Sequence, residues 1–208
     1  MVDNFKLIRD YLKFESEDDF YFLQILQRKK DGPGPNGVKV TGTNNKSRAI
    51  KTYYISSVEY LDKIEGEVKH LCYYFNARAM IILSRRSYKQ TALLEMVQVS
   101  NMIMSGQYMN VKSAYNSSCV KSKSLDKYFL IDIDEEDLAH KELIKNYIQN
   151  EARNDEVNYG ERILLELPTK HGYHLITTPF DVRGLLKVYP KEKQEFVHKD
   201  GPTILYVP

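Results

Sequence analysis

Two aspartates occupy alternate positions of a short apolar segment, KYFLIDID at residues 127–134. Side chains alternate across a β-strand, so Phe129, Ile131 and Ile133 share one face while Leu130, Asp132 and Asp134 share the other. Two carboxylates spaced this way repel each other unless a cation lies between them. Hard oxygen donors of this kind suit Mg2+ or Mn2+. Glu135, Glu136 and Asp137 follow at the start of an expected helix, where acids favour the helix dipole. That explanation does not extend to Asp132 and Asp134, which lie inside the apolar run.

A second group of chemically competent residues follows in LELPTKHGYHLITT. Pro168, Thr169, Lys170, His171 and Gly172 fall in a hairpin turn, with His174 just inside the next strand. Gly172 permits a tight backbone, so amides beside Lys170 can point at a phosphate. Lys170 adds charge, and His174 can donate to a phosphate oxygen. His171 has a weaker claim, because a histidine in a turn is commonly just solvated. A third acid, Asp200, is expected on the final strand with His198 on its face, and Asp181 is the substitute for it. Cations are concentrated between Arg28 and Lys51, where Arg28, Lys29, Lys30, Lys39, Lys46, Arg48 and Lys51 face Asp31 alone. The same stretch is rich in Gly, Pro and Asn and reads as a long loop, able to hold a phosphate backbone through counterion release. Arg78, Arg85 and Arg86 are further candidates to steady triphosphate charge, although the pair in SRRS also reads as a solvated strand end.

The elements that must position these groups are legible from periodicity. A helix is expected over 4–13, strands over 19–28 and 50–56, and a helix capped by Ser57 and running to about Tyr74 with Val58, Leu61, Ile64, Val68 and Leu71 at helical spacing. The run ARAMIILS (77–84) reads as a buried strand, 88–105 as a Met-rich amphipathic helix and 110–119 as another. A polar link at 121–124 marks a border. Beyond it come a strand (127–134), a helix (137–152), the strands ERILLELP and YHLITTPF, a helix (181–189) and the extended segment FVHKDGPTILYV. This is the β-α-β-β-α-β order of the ferredoxin-like, or RRM-like, unit. The fold class is therefore α+β, with an RRM-like half at 125–208 packed against an N-terminal α/β lobe at 1–120. The strand order 4-1-3-2 of such a unit puts Asp132 and Asp134 at its centre, the His174 strand on one side and the Asp200 strand on the other, all on one open face.

The composition agrees with a soluble globular protein. Of 208 residues, 42% are hydrophobic and 28% charged, and the net charge of +2 does not by itself announce a nucleic-acid binder. No run of about 18 apolar residues is present, and the N-terminus has no signal-peptide core, so a cytoplasmic protein without a membrane span is expected. Cys72 and Cys119 lie in unrelated segments without metal-binding spacing, as for thiols in a reducing compartment. The sixteen tyrosines offer stacking surfaces, but mostly as packing residues.

The residues Asp132-Ile133-Asp134, then Thr169-Lys170-His171-Gly172-Tyr173-His174, then Asp200 resemble the motifs of the archaeo-eukaryotic primase (primase-polymerase) superfamily over residues 125–208. The resemblance implies a template-directed nucleotidyltransferase. Asp132, Asp134 and Asp200 would hold Mg2+ or Mn2+. Thr169, Lys170, Gly172 and His174, with Arg78 and Arg85 from the other lobe, would bind the nucleotide. The implied partners are single-stranded or primed DNA, nucleoside triphosphates and a helicase or other replication protein. Thr169 stands where the family frequently has serine, Lys199 where an apolar residue is usual, and neither a zinc-ligand cluster nor a helicase motif is present. Two alternatives stay open. A replication-initiator nuclease needs a His-x-His pair and a nucleophilic tyrosine, whereas His171 and His174 are two residues apart across a turn. A non-catalytic RRM-like module would present aromatics, whereas this sheet presents two aspartates.

Overall fold

The computed structural model describes residues 1–41, 46–151, 161–189 and 196–208. The aromatic and β-branched run DFYFLQILQR becomes strand β2 (Asp19–Arg28), paired antiparallel with β3 (Ser47–Ile55) and β4 (Arg78–Ser87). Two further strands, β1 (Val2–Asp3) and β9 (Pro202–Val207), complete a first sheet of order β1-β9-β4-β2-β3. Helices α1 (Phe5–Tyr11) and α2 (Val58–Phe75) supply the apolar cover. The Ser57 hydroxyl accepts from the Tyr60 amide at 3.1 Å and starts α2. Asn76, at φ 47°, ends it in the left-handed conformation. Leu61, Ile64, Val68 and Cys72 form its buried stripe, close to the one expected.

The second sheet has the order β6-β7-β5-β8, from β5 (Phe129–Asp134), β6 (Ile163–Pro168), β7 (Gly172–Thr177) and β8 (Val197–Lys199), with every neighbouring pair antiparallel. Ile131, Ile133 and Leu175 pack on the helical side with Ile144 and Ile148, and with Leu185 of α6 (Val182–Val188). The single helix expected at 137–152 is broken. A 3-10 segment (Glu135–His140) leads into α5 (Lys141–Asn146), and a π-helical segment (Tyr147–Glu151) follows.

On its other face the second sheet is not open. Leu130, Leu167 and Ile176 join the core of the first sheet, together with Phe5, Leu205 and Tyr206. Two buried polar groups fasten the sheets. Asn4 Nδ2 donates to the carbonyls of Pro168 and Ile204 at 3.0 and 2.8 Å. The Tyr128 hydroxyl accepts from the Leu83 amide at 3.0 Å and donates to the Gly201 carbonyl at 2.9 Å.

The end of the chain departs from the expected arrangement. The segment 196–207 is not one strand. It breaks at Asp200, whose φ is 58°, a conformation aspartate tolerates better than most residues. β8 stays beside β5, and β9 crosses to pair with β4 and β1. The reason is packing: Leu205 and Tyr206 fill the core under α2. Residues 202–207 therefore belong to the sheet of the N-terminal lobe, and the division 1–120 / 125–208 does not hold there. The Met-rich helix α3 (Tyr88–Met104), which precedes a short helix α4 (Ala114–Lys121), also differs, since Leu93, Met96, Val97 and Met104 are exposed and Thr91 is its buried residue. Among the described residues no helix is long and apolar enough to cross a membrane.

Because one core serves both sheets, Leu205→Ala is expected to cost about 2–5 kcal/mol in a urea titration, with both sheets unfolding in one transition. Separate transitions would contradict the shared core.

Candidate metal and phosphate site

Register sets the site. In the β5–β7 pairing, Asp132 lies opposite His174 and Asp134 opposite Gly172. Gly172 has φ 155°, and a Cβ there would come within 1.9 Å of the Ile133 carbonyl oxygen. Only glycine lets the hairpin close so tightly against β5. The turn before it is held by the Thr169 amide donating to the Gly172 carbonyl at 2.9 Å.

The result is a cleft of about 440 Å³ between the sheets. From the second sheet come Asp132, Asp134, Thr169, Lys170, His171, His174 and His198. From the first come Arg28, Lys30, Arg78 and Met80. His174 is buried. Its Nδ1 lies 2.8 Å from the Thr203 hydroxyl and its Nε2 lies 3.4 Å from Asp132 Oδ1. Asp132 is half-buried, while Asp134, Lys170 and Lys30 are exposed. An adjoining hollow of about 590 Å³ shares Arg28, Lys30, Arg78 and Met80, then runs over Leu26 toward Lys29, Lys46 and Ser47. The basic loop thus delivers part of its charge to the carboxylates. Arg48 and Lys51 are engaged elsewhere, with Gln27 and Glu67.

Arg78 is held in place by Asp31, with Nε at 2.8 Å and Nη2 at 2.7 Å from its two oxygens. This bidentate pair fixes the guanidinium at the cleft wall. A further acidic group adjoins Asp134. Ligand atoms of Asp134, Glu136 and Asp137 lie within 4.8 Å of one another. Asp137 is turned inward and accepts from the Tyr189 hydroxyl; burial, then that hydrogen bond to Asp137, pushes the phenol's pKa up. The sequence assigned Glu136 and Asp137 only to a helix N-terminus, because their approach to Asp134 depends on the 3-10 turn.

Other expected site residues lie elsewhere. Asp200 does not line the cleft: from the turn between β8 and β9 it accepts from Arg86 Nη2 at 2.5 Å and from the Ser84 hydroxyl. Asp181 caps α6, accepting from the Arg183 amide at 3.0 Å and pairing with the Arg183 side chain. Arg85 is also absent from the cleft. It is buried, chelates Asp126 through Nε and Nη2 at 2.8 Å each, and reaches Asp19 and Glu15 through Nη1 at 3.1 and 3.0 Å. The reading of SRRS as a solvated strand end is corrected with it, since Arg86 is buried too. Strand-end position gave no sign of the acids that surround these arginines in space. Thr203 was missed altogether, because a threonine in an apolar strand carries no sequence signal.

The hydrogen bonds from Arg85 hold the Asp126 carboxyl below the usual carboxylate range. Burial raises Asp19, but amide and hydroxyl bonds from Glu15 and Ser16 and the Arg85 charge outweigh it and leave its pKa lowered.

Comparison with protein-family models, with curated proteins and with solved structures finds no match to this chain.

Arg85→Ala is expected to destabilise by about 3–5 kcal/mol, as for one partner removed from a buried ion cluster, and to leave the cleft's ligand affinity unchanged. Carboxyls with depressed folded-state pKa values stabilise above their unfolded value of about 4. The difference from wild type should therefore persist at neutral pH and narrow as pH falls through the depressed values of Asp126 and Asp19. Denaturant titrations at pH 7 and pH 3 check both the size and the sign.

Proposed function

We propose that the cleft is a metal-dependent nucleotidyl-transfer site of the primase-polymerase kind, joining nucleoside triphosphates to a nucleic-acid strand. The observation that carries this reading is the meeting in one cleft of Asp132 and Asp134 from β5 with His174, Lys170, Arg28, Lys30 and Arg78. The carboxylates suit divalent cations, and the lysines and arginines suit phosphates. The order β6-β7-β5-β8, with helices on one face, supports describing the second sheet as RRM-like.

The donor set fits a hard divalent ion. Asp132 and Asp134 project from one strand face; Glu136 and Asp137 offer further carboxylates around Asp134, with ligand atoms within 4.8 Å of one another, and Asp132 lies outside that group. Bound there, Mg2+ or Mn2+ supplies charge that favours ionisation of a strand's 3′-hydroxyl and offsets charge on the leaving pyrophosphate. In the reaction proposed, the 3′-oxygen bonds to the α-phosphorus as the bond to the bridging oxygen breaks and pyrophosphate departs in line.

The chain's own groups do the remaining work. Lys170, Lys30 and Arg78 neutralise the triphosphate, and His174 Nε2 donates to a phosphate oxygen. Arg78 arrives already oriented by Asp31, so little side-chain freedom is lost on binding. The hollow over Leu26, edged by Lys29 and Lys46, takes the phosphate backbone of the strand. A base-reading module without chemistry is supported less well, since an anionic pair beside the phosphate path would oppose binding without a cation.

The test is primer extension on a templated DNA with labelled dNTPs or NTPs and Mg2+ or Mn2+. Extension that disappears in Asp132→Ala/Asp134→Ala is the expected result. Metal-dependent cleavage of the strand in place of extension would establish a nuclease instead. Neither activity, with nucleic-acid binding unchanged in the double variant, would refute the reading.

A further inference from the structure

We infer that Thr203 is the positioning residue for His174, holding the imidazole so that Nε2 presents its proton to the cleft. The inference deepens the reading of His174 as a phosphate contact and rests on that reading for its functional consequence. The two residues belong to different sheets: His174 to β7 of the second, and Thr203 to β9 of the first, opposite Ile81.

The hydroxyl of Thr203 needs a reason. Its neighbours Ile204, Leu205 and Val207 are buried apolar residues, and Thr203 itself is fully buried. An apolar β-branched side chain would suit such a strand at least as well, and a buried hydroxyl costs stability unless it is hydrogen-bonded. Its bond is the 2.8 Å contact with His174 Nδ1.

The other ring nitrogen decides which way that bond runs. Asp132 Oδ1 lies 3.4 Å from Nε2, and an ionised carboxylate can only accept. A proton on Nε2 faces that carboxylate, and in that arrangement Nδ1 accepts from the Thr203 hydroxyl behind the ring. A ring turned over about its Cβ–Cγ bond would set a carbon against the hydroxyl and forfeit the bond. Asp132 alone is a poor anchor for this purpose, because its oxygens are also the ones offered to a cation. Thr203 lies behind the ring and keeps its hold when Asp132 is otherwise engaged. It stands to the phosphate-contacting histidine as the outer hydrogen-bond partner stands to a metal-ligating one.

Two variants separate the hydroxyl from the packing. Thr203→Val keeps the branched shape and removes the donor, and Thr203→Ser keeps the donor. Each is studied as the full chain with 15N-labelled histidine, with thermal melting to establish that it is folded. In the wild-type spectrum His174 should give one set of ring signals with Nε2 protonated. Thr203→Val should give broadened or doubled signals, and Thr203→Ser should restore the single set. Titration with inorganic triphosphate in the presence of Mg2+ should show about tenfold weaker binding for Thr203→Val, the size of one lost charge-assisted contact, and recovery for Thr203→Ser. A valine variant that is folded and retains the wild-type ring signals overturns the inference, whatever its affinity. Altered ring signals with unchanged triphosphate affinity uphold the positioning and overturn instead the phosphate role given to His174.

Discussion

Asp200 holds the turn at which the chain leaves one sheet and enters the other, and the geometry of the cleft depends on that turn. Its carboxylate is gripped by the buried Arg86 guanidinium and the Ser84 hydroxyl of β4, while its backbone sits at φ 58°. The polar grip offsets the conformational cost of a left-handed non-glycine residue. Because the turn lies against β4, β9 is delivered beside β4 and its apolar side chains enter the first core. The same crossing brings Thr203 behind His174 and lays Gly201, Pro202 and Ile204 along the cleft. Asp200 thus shapes the site without facing it.

Electrostatics gives the cleft its polarity. The second sheet contributes the two aspartates, and the first contributes Arg28, Lys30 and Arg78 across the gap. Arg78 spends much of its charge on Asp31, so the cationic wall is weaker than a count of residues suggests. A ligand matched to such a cleft carries a cation toward the two aspartates and phosphate toward Lys170, His174 and the cations of the first sheet. A bare phosphate close to Asp132 would meet like charge, whereas a magnesium-bound triphosphate would not.

The local part of this arrangement was legible in the sequence. Alternation in KYFLIDID assigned Ile131 and Ile133 to the helical side and Asp132 and Asp134 to the other, because strand periodicity is a property of the backbone alone. Glycine at 172 marked a tight approach, although the approach is to the Ile133 carbonyl. Of the basic stretch, Arg28, Lys29, Lys30 and Lys46 line the cleft or its adjoining hollow, whereas Arg48 and Lys51 belong to β3, a division that the run of cations did not reveal. What could not be read depends on pairing between distant segments. Asp200 lay in a segment whose apolar alternation looked like one strand, and nothing in HKDGPT says which sheet the second half joins. Arg85 and Arg86 looked like a strand end because their acid partners, Asp19, Asp126 and Asp200, are dispersed along the chain. β1 is two residues long, too short for any periodicity.

The central claim is that Asp132 and Asp134 hold a divalent cation. It is tested most directly by titrating the protein with Mn2+ and following the free ion by its electron paramagnetic resonance signal, beside Asp132→Asn/Asp134→Asn. The account predicts saturable binding by the wild type that the double variant loses while melting as a folded protein. Equal Mn2+ binding by both proteins would contradict it, and would move the cation, if any, to other carboxylates.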